Sequence, residues 1–143
     1  MLLMETEARL EAIADSLLDN VGSAVSLATA MERPPVNGVS CFVVPVAEQP
    51  EKNQRVSGPA VQKVLVTVGV VFAIRTLNDP DGERGSQKLE TARDAVRQAL
   101  FGWQAEGTTA PYLLSTSGLI RMENNVIWWM DRYQTQIQRR AAA

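Results

Sequence analysis

Apolar and polar residues alternate with two distinct periods along this chain. The clearest element is Val61 to Leu77, where the even positions Val64, Val66, Val68, Val70, Phe72 and Ile74 are apolar. The odd positions include Lys63, Thr67, Gly69 and Arg75. Period two is the mark of a strand with one core face. At ~3.3 Å per residue it spans ~55 Å, so it either bends at Gly69 or carries its ends beyond the domain. Helical periodicity marks Leu3 to Leu18, with Leu10, Ile13, Ala14, Leu17 and Leu18 on one face, and Ser86 to Trp103, with Leu89, Ala92, Val96, Ala99, Leu100 and Trp103 inward. Asn20 and Gly22 end the first helix, and Ser23 caps a shorter one reaching Met31 with Leu27 inward.

Turn residues separate the strands. Pro34-Pro35 and Asn37-Gly38 precede a strand over about Ser40 to Ala47, which holds Pro45 and therefore sits at an edge or a bulge. Glu48 to Pro59 reads as a long polar loop. Asn78 to Gly82 is a turn, and Tyr112 to Met122, bulged near Ser117-Gly118, forms a hairpin with Val126 to Ile137 through Glu123-Asn124-Asn125. The order is α-α-β-β-α-β-β. It predicts an α+β fold, a mostly antiparallel sheet with the helices on one face. One domain over 1–143 is expected, with 1–4 and 139–143 frayed.

Charge and composition narrow the chemistry. The net charge of −2 supplies no global attraction for nucleic acid, although Arg132 to Arg140 is a local basic stretch. The single cysteine, Cys41, lies in an apolar run and reads as a buried hydrophobe. With no histidine in the chain, it has no imidazole to activate it. A zinc or other transition-metal site would have to be built mostly of carboxylates. Asp79 to Glu83 superficially resembles part of a calcium loop but lacks the spacing to a bidentate glutamate. No glycine-rich run matches a phosphate-binding loop. The start has no basic segment followed by a long apolar one, and Val64 to Ile74 is too short to cross a bilayer as a helix. The expectation is a protein without catalysis, cofactor, metal or membrane.

Two features point instead to contact with other chains. Trp128 and Trp129 are adjacent in a strand and face opposite sides of the sheet, so one of them needs cover on a second face. The segment Gln49 to Pro59 is too polar for a core, and the long strand after it carries it outward as an arm, expected to be disordered in a free monomer and ordered in an assembly. The interface expected from these features comprises Pro45, Gln49, Glu51, Lys52, Asn53, Gln54, Arg55, Val56, Trp128, Trp129 and Arg132.

Four segments, in this order, resemble the tail terminator proteins of long-tailed phages and prophages: Phe42–Glu48 (FVVPVAE), Val68–Arg75 (VGVVFAIR), Arg93–Trp103 (RDAVRQALFGW) and Val126–Tyr133 (VIWWMDRY). The match in pattern runs from about Val21 to Ile137. The resemblance implies a non-enzymatic virion protein, assembled in the host cytoplasm, that forms a homohexameric ring on the head-proximal end of the tail tube. Such a ring stops tube polymerisation and docks the head-completion or connector protein. DNA passes through its lumen without specific binding. Another tail or neck component would explain the same α+β pattern, and a small adaptor that binds a peptide by strand addition would suit the edge-like strand.

Overall fold

The computed structural model describes residues 2–14, 18–33, 38–76, 83–123 and 125–142. Helix α1 spans Leu2–Ala12, strand β1 Asn20–Ser23, helix α2 Ala24–Glu32, strand β2 Val39–Asn53 and strand β3 Val61–Arg75. Helix α3 spans Glu83–Leu100, strand β4 Leu113–Glu123 and strand β5 Val126–Arg140. The turns expected at Pro34–Asn37 and Asn78–Gly82, and Leu17 of the first helix, lie outside the described residues.

The fold is α+β, with one five-stranded sheet in the order β1-β2-β3-β5-β4. Every pairing is antiparallel except β1 with β2. Strand β1 corrects the expected element order. Asn20 and Gly22 do not simply end a helix: residues 20–23 run beside Ser40–Val43. A short segment containing Asn and Gly has no strand propensity of its own, and it is held by its backbone ladder. Gly22 is required there, because a Cβ would come within 2.8 Å of Ser26 Cβ and 3.0 Å of Phe42 Cδ1.

The register of β3 follows the period-two reading. Val64, Val66, Val68, Val70, Phe72 and Ile74 join Cys41, Val43, Leu10, Val96 and Leu100 in the main core, with Leu89 packed against it. The other face is not bare. Val71 and Ala73 of β3 cluster with Phe42, Val44, Val126 and Trp128, covered by Leu27, Ala30 and Met31 of α2. The expectation of helices on one face is therefore corrected: α1 and α3 cover one side, and α2 covers the near half of the other. The cause lies in β1, which turns the chain at the sheet edge and delivers α2 to the opposite side. Ser23 stands at the N-cap of α2, without a side-chain cap hydrogen bond.

Three 15-residue strands give the sheet its length. Straight pairing of β3 with β5 runs without interruption from Val61↔Arg140 to Arg75↔Val126. Gly69 is thus not a bend in the ladder. It makes room for the opposite face: a Cβ would meet Val46 Cγ2 at 2.8 Å and Met130 Sδ at 2.9 Å. Val46 is the extra residue of a bulge in β2 between Pro45 and Ala47, where a proline was expected to disturb the ladder. The positions expected to fray include Leu2–Met4, which are in α1, and Arg139–Arg140, which are paired in β5.

Candidate assembly interface

From Pro45 onward every residue of β2 is exposed, as is the connection 54–60. The expected polar loop is shorter than its composition suggested, because Glu48–Asn53 continue β2 and pair with β3 from Val66 to Gln62. Residues 135–140 of β5 add a third strand on the other side of β3. The arm is consequently an ordered three-stranded ribbon rather than an unstructured loop. Asn53 closes its tip: its side-chain oxygen accepts hydrogen bonds from the amides of Arg55 and Val61, both at 3.1 Å. The Gln54 amide donates to the Val61 carbonyl at 2.8 Å. Gly58 takes a φ of 82°, a left-handed conformation that glycine supplies without strain.

Of the residues expected at an interface, Pro45, Gln49, Glu51, Lys52, Asn53, Gln54, Arg55 and Val56 are all exposed and lie along this one ribbon. Val56 is fully exposed at its tip. Arg132 is half-buried, and its guanidinium donates to Thr116 Oγ1 at 3.3 Å. The two tryptophans do face opposite sides, but both find cover inside the chain. Trp128 is buried beneath α2, with the Arg121 guanidinium 5.5 Å from its ring centroid. Trp129 is half-buried on the α3 side. Its Nε1 donates to Asp131 Oδ1 at 2.9 Å, and the Arg93 guanidinium stacks 4.8 Å from its centroid. Asp131 is buried and forms an ion pair with Arg93 at 3.0 Å. Trp128 is covered within the chain, and Trp129 keeps part of its ring open to solvent.

The surface that sequence reasoning missed is β4. It is an edge of the sheet, and Leu113, Leu114, Leu119, Ile120 and Met122 are all exposed on it. Native edges are normally blunted by prolines, lysines or bulges that spoil the outward hydrogen bonds. The far half of β2, which β1 leaves unpaired on its outer side, has Pro45, Pro50 and a bulge. β4 carries register shifts but no proline or lysine. The signal was present as apolar residues lacking any strict period between Leu113 and Met122, but strand order alone makes it an edge.

No three His, Cys, Asp or Glu side chains among the described residues cluster as a metal site. Cys41 is completely buried, and burial pushes its thiol up to about 12, with the charge of Glu7 adding to the effect. It is held as a neutral thiol at physiological pH. No helix among the described residues is long and apolar enough to cross a membrane.

The described residues form an α+β domain with an exposed apolar sheet edge and an exposed ribbon of paired strands. Residues 4–143 match the family of the phage tail terminator protein, nearly the whole chain, and the chain belongs to that family. It is a structural component of a phage tail, located in the virion. No curated protein matches it. Among solved structures, a chain from the virion of a native gene transfer agent particle is similar, with 16% identity over 96% of this chain and 90% of that one, at a TM-score of 0.48.

Proposed function

We propose that the protein is the ring that ends the tail tube. Six copies close around the tube's head-proximal end, stop its polymerisation and present a surface to the head-completion or connector protein. It acts by contact, without catalysis, cofactor or metal, and DNA passes through the ring without specific binding. Family membership is what supports the role. The observation that carries the mode of action is the ribbon of β2, β3 and β5, an ordered element whose β2 strand is exposed along its whole length within it. A ribbon of paired backbone keeps its shape before it meets a partner, so docking costs little ordering entropy. The exposed β4 edge offers a second contact, suited to the next protomer or to the proteins above and below the ring.

Complementation of a terminator-defective phage tests the reading. Replacing Gln54–Pro59 with a two-residue Asn-Gly turn leaves the ladder intact and removes the tip. The expected outcome is a folded protein and tails of irregular length or without heads. Normal-length, infectious tails from this variant would reject the ribbon as the functional element.

A further inference from the structure

A groove of about 700 Å³ lies at the root of the ribbon, between the start of α1 and the bulge of β2. Its walls are apolar: Leu2, Leu3, Val46, Val66, Val68 and Ile137. Glu48, Glu106 and Arg139 also line it, and Glu48 pairs with Arg139 at 3.1 Å in an exposed bridge, which leaves Glu106 as the lining carboxylate outside that bridge. That volume lies within the range of about 300–1,000 Å³ typical of clefts that bury a drug-sized ligand, more than one valine side chain needs. At the other end of the same ribbon stands the opposite shape. Val56 is fully exposed next to Arg55, on a tip held rigid by Asn53.

The charges are complementary as well. Along 48–63 and 135–140 the chain has five cations, Lys52, Arg55, Lys63, Arg139 and Arg140, against two carboxylates, Glu48 and Glu51. The whole chain nonetheless has a net charge of −2, so the remainder of the chain carries a net charge of −5. Tip and groove cannot meet within one molecule. Val61 to Val66 alone sets them apart by ~17 Å of strand, and β3 is hydrogen-bonded on both sides throughout. The occupant that fits is a second copy of this chain.

We propose that Val56 of one protomer seats in the groove at the ribbon root of the next, with Arg55 meeting Glu106. This rests on the ring reading and deepens it. A knob and a hole on different parts of one surface make a head-to-tail contact, which closes into a ring when the rotation per step allows and otherwise gives a filament.

Disulfide trapping tests the contact directly. In a Cys41→Ser background, Val56→Cys and Ala47→Cys are combined in one chain; Ala47 is an exposed residue lining the groove. The control pair is Val25→Cys with Ala47→Cys, because Val25 is also open to solvent but lies on α2. Purified protein and particles assembled in producing cells are oxidised and run on non-reducing gels. The expected result is a ladder of multimers from the first pair and none from the control. In a separate charge reversal, Arg55→Glu should weaken assembly at least tenfold in the concentration required, and Glu106→Arg should restore it. Multimers or complete tails without the 56–47 cross-link would overturn the docking while leaving the ring intact. A cross-link from the Val56→Cys thiol to a different tail protein, or retention of duplex DNA by the tip, would overturn it too. A chain that stays monomeric in both settings removes the contact and the ring together.

Discussion

At the residue scale, buried polar groups tie the sheet to its helices. Asp131 is the clearest case. It is buried, accepts the indole N–H of Trp129 and the guanidinium of Arg93, and so ties β5 to α3. Removing one partner leaves the other uncompensated, and Asp131→Ala should cost about 3–5 kcal/mol in urea unfolding. Phe72→Ala should cost about 3–5 kcal/mol by leaving a cavity beneath the helices. Cys41 and Tyr112 give a test at alkaline pH. Burial raises the thiol from 9.0 to about 12 and, as the largest effect, raises the Tyr112 phenol from 10.0 to about 12. Their unfolded forms lose protons first, so the stability they contribute is complete below pH 9 and is lost as pH rises toward 12. Each group steepens that loss by ~1.4 kcal/mol per pH unit once above its unfolded value. Urea midpoints should fall between about pH 8 and about pH 10.5, a window that brackets the unfolded thiol, and Cys41→Ala should make the fall shallower. Equal slopes for the two proteins would mean that Cys41 is open to solvent.

At the element scale, the two edges of the sheet are unequal. Past β1, the outer side of β2 is guarded by Pro45, Pro50 and a bulge, whereas β4 displays five exposed apolar side chains. Leu119→Lys together with Met122→Lys should leave the melting temperature nearly unchanged, since exposed positions of this kind are usually worth within about 0.5 kcal/mol. The same pair should impair tail completion in the complementation assay. Normal tails would show that β4 stays bare in the virion. How far such elements can be read from residue order depends on what holds them. β3 was legible because its apolar positions alternate, with Val64 to Ile74 facing α1 and α3. α3 was legible from its apolar stripe. β1 was not, because Asn20–Ser23 is held by the backbone of β2, and backbone pairing leaves no hydrophobic period. Glu48–Asn53 misled for the same reason: apart from Pro50 their side chains are polar, yet the ladder to β3 keeps them extended. The arm residues were identifiable by polarity and position. The groove was not, since Leu2, Val46 and Ile137 come from three distant segments and meet only once the sheet has formed.

At the scale of the whole molecule, the separation of charge decides what the ribbon can touch. Five cations on one ribbon would draw in a duplex if they were free, because each neutralised phosphate releases counterions. Here Arg139 is paired with Glu48, and the acidic remainder of the chain repels the same polyanion. DNA that must move through a lumen is served by this arrangement, since a strongly attractive wall would retain it. The purified protein should therefore fail to retain a duplex of about 30 base pairs (a length chosen to exceed one protomer) in gel shifts at about 0.15 M salt, where the Debye length is ~8 Å. Assembly between protomers should show the reverse sensitivity to charge: the ribbon and its acidic partner attract, so sedimentation should give larger species at low salt than at ~0.5 M, where surface charges are screened. Lys52→Glu with Lys63→Glu should flatten that dependence while leaving the fold intact, because neither side chain is buried in the core. Tight, salt-sensitive duplex binding combined with salt-independent assembly would assign the basic ribbon to nucleic acid instead of to a neighbouring copy.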